Sequence, residues 1–378
     1  MPSNYFTSGT DLVPQLVSRD YYPSTLPPNG LFSWGLNNAG QLGLGDRTNR
    51  SSPVQVGSLL TWKNIACGYY HAVATKTDGS LWTYGYNDYG QLGLGDVTPR
   101  SSPVQVGSLL TWNNVTGGPK HTVATKTDGS LWTCGYNTYG GLGLGDRTHR
   151  SSPVQVGSLL TWKNIAGGQN YTVATQTDGS LWVWGLNYYG NLGLGDTNGR
   201  SSPVRVGTLL TWKNVAGGKY HTVATKTDGS LWVWGLNDNG QLGLGDRTNR
   251  SSPVQVGSLM TWNNVACGYY HAVATKTDGS LWAWGYNYYG QLGLGDVTNT
   301  SSPVQVGSLL TWNKVAAGYP HTLATKTDGS LWSFGYNGYG NLGLGDRTNR
   351  SSPVQVGSLL TWKNIAGGQY YTIATMKS

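Results

Sequence analysis

The chain has 378 residues, 57 of them glycine, and its 25 Lys and Arg side chains against 17 acidic ones give a formal charge of +8. Every acidic residue is an aspartate, and charged residues make up only 11% of the chain. A glycine-rich chain without glutamate argues against helical bundles and α/β nucleotide-binding folds, whereas 17 Trp and 24 Tyr supply too much burial surface for a disordered chain.

Residues 1–30 precede the repetitive part of the chain and are predicted to form a separate N-terminal extension. Pro23, Pro27 and Pro28 indicate a linker into the first strand. The segment lacks the basic-then-apolar pattern of a secretion signal, and no apolar stretch reaches membrane-spanning length. We therefore predict a cytoplasmic protein that does not enter a membrane. The apolar side chains of the extension are predicted to pack on the rest of the molecule or to attach it elsewhere: Phe6, Leu12, Val13, Leu16, Val17, Tyr21 and Tyr22.

The rest of the chain, residues 31–378, repeats with a period of 50 residues. The segment LFSWGLNNAGQLGLGD begins at Leu31, and an equivalent segment begins every 50 residues up to Leu331, without insertion. A period of this size in a strand-like, glycine-rich sequence is typical of a solenoid or a propeller.

Each repeat is predicted to contain four short strands. In the first complete copy these are Asn64–Gly68, His71–Thr75, Leu81–Gly85 and Val104–Val106. Asp78 and Gly79 between the second and third strands form a strong hairpin signal.

Four antiparallel strands in each of seven repeats predict an all-β fold, a single seven-bladed β-propeller. The long loop before the fourth strand is predicted to end at Pro103, which suits an outer edge. The first strand is rich in Ala, Gly and Cys and is predicted to be innermost. The last blade then combines two N-terminal and two C-terminal strands, which closes the ring; an alternative with Val-Gln-Val innermost predicts a three-plus-one closure.

The repeat resembles the regulator-of-chromosome-condensation repeat family. The matching motifs are W-G-x-N-x-x-G-Q-L-G-L-G-D over residues 34–46, Pro53, A-C-G-x-x-H over residues 66–71 and T-D-G over residues 77–79. The resemblance covers all seven repeats and implies a seven-bladed propeller. The family includes an exchange factor for a nuclear GTPase, so the resemblance implies fold rather than activity. Every repeat of this chain has 50 residues, which leaves no room for the wedge that an exchange factor implies.

The seven copies differ mainly in three places: the residues after the first strand, the pair inside N-x-x-G, and the stretch after LGLGD. In an antiparallel meander the connections emerge alternately on opposite faces, so all three variable places are predicted to share one face. Tyrosine dominates them, and tyrosine supplies large contact areas at low entropic cost. We predict a non-enzymatic scaffold that binds a protein partner through this face; unconstrained drift of loop residues is the alternative.

The residues predicted to contact the partner are Tyr69, Tyr70, His71, Tyr89, Lys120, His121, Tyr139, Asn170, Tyr171, Tyr188, Tyr189, Tyr220, His221, Tyr269, Tyr270, His271, Tyr288, Tyr289, Tyr319, His321, Tyr339, Tyr370 and Tyr371. Carbohydrate or nucleic acid is the alternative ligand of the same face. The face holds twelve Arg or Lys side chains against nine Asp, a modest excess spread over a wide ring, whereas nucleic acid requires a concentrated basic stripe.

The histidines of the second strands recur at one position, with tyrosine in two copies. A ring of imidazoles near an axis is compatible with a metal site or a catalytic base, but each lies in its own blade and tyrosine replaces it, which favours a hydrogen-bonding role. We predict no metal, no cofactor and no catalytic residue, and a monomeric protein.

Two further motifs are interpreted structurally. G-x-L-G-L-G-D resembles a phosphate-binding loop, but neither a helix nor Lys-Ser/Thr follows it; Asp46 and its equivalents are predicted to cap loop N–H groups, with calcium as a minor alternative. Ser80 lies in a hairpin and lacks a nucleophile motif. Cys67, Cys134 and Cys267 are predicted to be free, buried thiols.

Overall fold

The computed structural model describes residues 29–377, and this part of the chain forms a ring of seven four-stranded antiparallel sheets. The prediction of a seven-bladed β-propeller is confirmed. The predictions for Phe6 to Tyr22 lie outside the described residues. No helix occurs among residues 29–377, so none there has the length and apolar character needed to cross a membrane.

Each blade consists of four strands, ordered from the axis outward as follows. Blade 1 has β3 (Trp62–Cys67), β4 (His71–Lys76), β5 (Leu81–Gly85) and β6 (Arg100–Gln105); blade 2 has β7 (Trp112–Gly117), β8 (His121–Lys126), β9 (Leu131–Gly135) and β10 (Arg150–Gln155). Blade 3 has β11 (Trp162–Gly168), β12 (Tyr171–Gln176), β13 (Leu181–Gly185) and β14 (Arg200–Arg205); blade 4 has β15 (Trp212–Gly217), β16 (His221–Lys226), β17 (Leu231–Gly235) and β18 (Arg250–Gln255). Blade 5 has β19 (Trp262–Cys267), β20 (His271–Lys276), β21 (Leu281–Gly285) and β22 (Thr300–Gln305); blade 6 has β23 (Trp312–Ala317), β24 (His321–Lys326), β25 (Leu331–Gly335) and β26 (Arg350–Gln355). Blade 7 has β27 (Trp362–Gly367), β28 (Tyr371–Met376), β1 (Leu31–Gly35) and β2 (Arg50–Gln55).

Blade 7 closes the ring with strands from both ends of the repetitive region. Strand β1 pairs with β28 from Leu31 opposite Thr375 to Gly35 opposite Tyr371. The two-plus-two closure is therefore confirmed, and the three-plus-one alternative is wrong.

The first strand of each repeat is innermost because only small residues fit where the blades converge. A Cβ atom on Gly117 would lie 2.7 Å from the backbone carbonyl of Cys67 in the neighbouring blade. Further out, apolar side chains fill the gaps between blades: Leu181, Val183 and Leu192 of blade 3 pack with Trp212 and Trp234 of blade 4.

The fourth strand is longer than predicted. It begins at Arg100, inside the stretch that was predicted to be a loop, because Arg100 pairs with Gly85 and Val104 with Thr83 across a bulge. Pro103 therefore lies inside an outer-edge strand, where its missing N–H interrupts no further pairing. The first strand also begins earlier, at Trp62.

The hairpin predicted at Asp78-Gly79 is confirmed. Gly79 has a φ of +83°, a conformation that glycine adopts without steric cost. Its amide donates to the carbonyl of Lys76 at 3.0 Å, and the Lys76 amide donates to the carbonyl of Ser80 at 3.0 Å.

Candidate partner-binding face

The variable segments of each repeat meet on one face of the ring, as predicted. In blade 1 the amide of Tyr86 donates to the carbonyl of Tyr70 at 2.8 Å, which joins the turn after the first strand to the loop after the third. We call the side formed by residues 68–70 and 86–99, with their equivalents in the other blades, the variable face. The opposite side, formed by residues 76–80 and 106–112 with their equivalents, is the constant face.

Tyrosine rings on the variable face touch one another from blade to blade. Starting in blade 1, Tyr70 lies 6.4 Å from Tyr86, Tyr86 lies 6.2 Å from Tyr89, and Tyr89 lies 4.9 Å from Tyr136 of blade 2. The series continues through Tyr139 to Tyr188 of blade 3. A second series of ring contacts runs through blades 5 to 7, and we call both series together the tyrosine belt. The members of the second series are Tyr270, Tyr286, Tyr288, Tyr289, Tyr336, Tyr339 and Tyr370.

The belt leaves two large phenol surfaces open. Tyr188 is 62% exposed and Tyr288 is 66% exposed. The other predicted contact residues of this face are partly exposed as well: Tyr69, Tyr70, Tyr89, Lys120, Tyr139, Asn170, Tyr189, Tyr220, Tyr269, Tyr270, Tyr289, Tyr319, Tyr339 and Tyr370.

Next to the belt, a cluster of three more tyrosines, Tyr69, Tyr269 and Tyr319, covers the mouth of the axial channel on the variable face. Tyr269 and Tyr319 have ring centroids 3.9 Å apart, and Tyr69 lies 5.9 Å from Tyr269. The hydroxyl of Tyr69 donates to Oε1 of Gln169 across the channel at 3.3 Å. Burial, together with the Tyr269 phenol, raises the pKa of Tyr69, so the Tyr69 phenol stays neutral.

Two lysines lie over tyrosine rings of the variable face. Nζ of Lys219 lies 4.3 Å from the ring centroid of Tyr269 and donates to the hydroxyl of Tyr270 at 2.6 Å. Nζ of Lys120 lies 4.8 Å from the Tyr89 ring. These cation–π contacts are worth about 0.5–1 kcal/mol each at exposed sites, and they help fix the rings in place.

The predicted contact role of the second-strand histidines is wrong. His71, His121, His221, His271 and His321 are fully buried, as are Tyr171 and Tyr371 at the same position. Each ring fills the space beside a glycine of the preceding strand: a Cβ atom on Gly68 would lie 2.1 Å from the His71 ring. None of these seven side chains can reach a partner.

Four of the five buried histidines, all except His221, instead connect neighbouring blades. Nε2 of His71 lies 3.1 Å from Oγ1 of Thr122 in blade 2, and Thr122 donates its own proton to the carbonyl of Gln91 at 2.8 Å. The histidine must then donate through Nε2. In the tyrosine copies, the hydroxyl of Tyr171 donates to the carbonyl of His221 at 2.5 Å. This bears out the hydrogen-bonding interpretation.

The aspartate of LGLGD caps its own loop, as predicted. Oδ1 of Asp46 accepts from the amide of Thr48 at 2.9 Å and from Nδ2 of Asn37 at 3.0 Å. Its other oxygen pairs with Arg50 at 2.6 Å. Equivalent ion pairs occur in five more blades, and in blade 5 Thr300 stands in place of the arginine. Six arginines of the variable face are therefore already paired with aspartates.

Sequence reasoning missed two sets of residues. Tyr86, Tyr136, Tyr286 and Tyr336 belong to the tyrosine belt, and the alternation of Tyr with Leu before the Asn of each loop could have identified them. The constant face carries a ring of leucines about half exposed, such as Leu109 and Leu110; the apolar pair in the turn GSLLTW was the available signal.

The three cysteines are free, and only Cys134 is fully buried; Cys67 and Cys267 line the axial channel. Burial raises the pKa of the Cys67 and Cys134 thiols to about 12, so neither is a reactive thiolate. Within the described residues, no three His, Cys or Asp side chains lie close enough to share a metal ion.

Comparison with known proteins gives one family. The sequence model of the regulator of chromosome condensation (RCC1) repeat matches residues 29–75, 78–125, 128–175, 178–225, 228–275, 278–325 and 328–375. A human protein, probable E3 ubiquitin-protein ligase HERC3, is 54% identical over 52 residues, a match that spans 13% of this chain and 5% of that protein.

Two solved structures share the fold. The human WBSCR16 structure has a TM-score of 0.83 at 21% identity and covers 92% of this chain and 99% of that one. Prp20p from Saccharomyces cerevisiae, whose structure was reported with its binding properties to Gsp1p and histones, has a TM-score of 0.83 at 19% identity and covers 94% of this chain and 92% of that one.

Proposed function

The chain belongs to the regulator of chromosome condensation (RCC1) repeat family, and we propose that it is a non-enzymatic scaffold whose tyrosine belt binds another protein. The observation that supports this most is the contact between phenol rings of neighbouring blades, from blade 1 to blade 3 and from blade 5 to blade 7. Tyr188 and Tyr288 are left open beside these contacts. A rigid aromatic surface loses little side-chain entropy on binding, which favours strong contacts.

The distribution of charge favours a protein over nucleic acid. Six arginines of the variable face are paired with aspartates within their own loops, and Lys120 and Lys219 lie over tyrosine rings. The four other arginines of this face form no ion pair within residues 29–377, but they lie singly in blades 7, 2, 4 and 6: Arg47, Arg147, Arg247 and Arg347. They therefore do not form the continuous track of free cations that phosphate binding needs. Carbohydrate remains the alternative ligand of the exposed phenols.

A structural relative with this architecture also binds a protein. The structural relative Prp20 has also been crystallised bound to Kap60, which supports a protein as the class of partner. The 50-residue spacing of the repeats leaves no inserted wedge in the described blades, so the proposal does not extend to guanine-nucleotide exchange.

The test is quantitative affinity capture from a lysate of the source organism, using the full chain. A Y188A/Y288A variant removes the two most exposed phenols, and we expect at least tenfold loss of the captured protein because exposed aromatic anchors dominate interfaces. An L159A/L160A variant on the constant face is the matched control and should capture normally. Equal capture by all three chains would contradict the proposal.

Two further assays separate the alternatives. A glycan array would identify a carbohydrate ligand if binding there is lost in Y188A/Y288A. Titration with a single-stranded oligonucleotide at increasing salt would identify nucleic acid by a steep loss of affinity. If the chain binds in either assay and Y188A/Y288A does not, the ligand of the belt is that carbohydrate or nucleic acid and not a protein.

A further inference from the structure

A ring of asparagines surrounds the axial channel where it opens on the constant face. Nδ2 of Asn64 donates to the carbonyl of Asn113 in the next blade at 2.6 Å, and Nδ2 of Asn364 donates to the carbonyl of Lys63 at 2.8 Å, across the closure of the ring. Equivalent bonds start from three other copies: Asn164, Asn214 and Asn264. These five side chains each tie a first strand to the next, whereas Asn114, in the described part of the chain, bonds only within its own blade.

Lys314 is the exception among the seven copies. It occupies the asparagine position in blade 6, and its Nζ donates to the carbonyl of Lys363 at 2.9 Å and to Oδ1 of Asn364 at 2.9 Å. The lysine thus keeps the bond between blades and adds a positive charge at the channel mouth, in a half-buried position.

The surroundings of Lys314 are also positive. Lys363 follows in blade 7 and is exposed, and its charge acts on Lys314. Burial, then the charges of Lys363 and Lys377, lower the pKa of Lys314. No ion pair to Lys314 is present within residues 29–377. Asp328, on the same face, interacts with Lys377 and is held by Ser330.

The channel mouth forms a cavity of about 260 Å³. Asn64, Asn114, Asn264 and Asn364 line it together with Lys314, and Ile65, Val265, Val315 and Ile365 form its apolar walls. Apolar walls lower the local dielectric constant, so that an anion inside is attracted to the ammonium groups more strongly than at an open surface.

We propose that this mouth binds a compact phosphate-bearing anion, with Lys314 as the central contact and Lys363 beside it. Lysine is a common phosphate ligand that acts as a point charge. The bound anion offsets the repulsion that Lys314 experiences from Lys363 and Lys377. This site lies on the face opposite the tyrosine belt and does not depend on the function proposed for the belt.

The experiment is calorimetric titration of the full chain with inorganic tripolyphosphate. We expect one saturable site per chain, with affinity that weakens as salt increases. Lys314→Asn introduces the residue that six other repeats carry, and in five of these the asparagine makes the bond between blades. It therefore removes the charge and should retain that bond. It should weaken binding at least tenfold and leave the melting temperature of the free protein unchanged or higher, because a buried like charge is lost.

Lys163→Asn is the matched control, since Lys163 is exposed on the same face beside another blade. It should bind tripolyphosphate like the unmodified chain. An equal loss of affinity in both variants, full affinity in Lys314→Asn, or no binding to the unmodified chain would each overturn the proposal.

The phosphate can be carried by a soluble compound or by a lipid headgroup. Flotation with phosphatidylcholine vesicles, with and without phosphatidylinositol bisphosphate, distinguishes these sources. Flotation that requires the phosphoinositide and Lys314 identifies a headgroup, whereas tripolyphosphate binding without flotation identifies a soluble ligand.

Discussion

Lowering the pH from 7 to 5 is expected to remove most of the stability of the fold, because five buried histidines stay neutral in the folded chain. Burial lowers the pKa from the ordinary 6.5 to about 3 for His71, His271 and His321 and to about 4 for His121 and His221. Below pH 6.5 the unfolded chain binds protons that the folded chain does not bind until near pH 4. The free energy of unfolding therefore falls as the pH falls through this window.

The magnitude follows from 1.36 kcal/mol for each unit of pKa shift. Between pH 7 and pH 5, one histidine with these values costs about 2 kcal/mol, and five cost about 10 kcal/mol together, against a total stability of about 5–15 kcal/mol for ordinary proteins. The hydrogen bond from the Thr48 amide lowers the pKa of Asp46 below 3.8, so this carboxylate titrates below the window.

The assay is urea denaturation at pH 7, 6 and 5, followed by tryptophan fluorescence. His121→Tyr is the informative variant because Tyr171 already occupies the same position one blade further on, beside an equivalent threonine. It should reduce the loss between pH 7 and pH 5 by about one fifth, or about 2 kcal/mol. An unfolding free energy that is constant down to pH 5 would refute the reasoning.

Two other predictions concern single positions. Ala272→Thr should stabilise the fold by about 1 kcal/mol in urea denaturation, because neither His221 ring nitrogen meets hydrogen-bond geometry within residues 29–377, whereas His71 meets a threonine there. Ala72→Thr is the control and should raise the free energy of unfolding by less than Ala272→Thr does, because the Tyr371 hydroxyl of the preceding blade already donates to the His71 carbonyl. An equal increase in both variants would contradict the explanation that His221 lacks a partner. Gly79→Ala should lower the free energy of unfolding, measured by thermal unfolding, by about 3 kcal/mol or more. The reason is that the new Cβ would lie 2.2 Å from the Leu110 carbonyl oxygen. Gly107→Ala shares a positive φ but meets nothing within 4 Å, so it should cost about 1 kcal/mol; similar losses would argue against the contact.

Periodicity was sufficient to predict the architecture. The 50-residue spacing, the Asp78-Gly79 turn and the small residues of the first strand together predicted blade number, strand order and closure, since each property is local and recurs seven times. The fourth strand was predicted too short because Pro103 was interpreted as the end of a loop. Its pairing depends on the neighbouring strand, which sequence alone does not show.

The surface was harder to predict than the fold. Tyr188 and Tyr288 were predicted to be exposed on the variable face because they lie in loops, and this is confirmed. The same reasoning predicted that His71 contacts a partner, but its ring is buried against Gly68. Side-chain direction at a strand start depends on the space that the next blade leaves. Lys314 differs from its six counterparts by one charge, and its significance emerges only when the ring brings it beside Lys363.

Because blade 7 is built from both ends of the repetitive region, the chain could start at the equivalent turn of any other blade and form the same ring. The amide of Met376 donates to the carbonyl of Gly30 at 3.2 Å, so the two strand ends are adjacent at the constant face. A circularly permuted chain, joined there and opened at the equivalent turn of another blade, would contain the same sheets in the same order. The molecule thus offers seven nearly equivalent sites at which a fused domain or a label can be attached without altering the tyrosine belt.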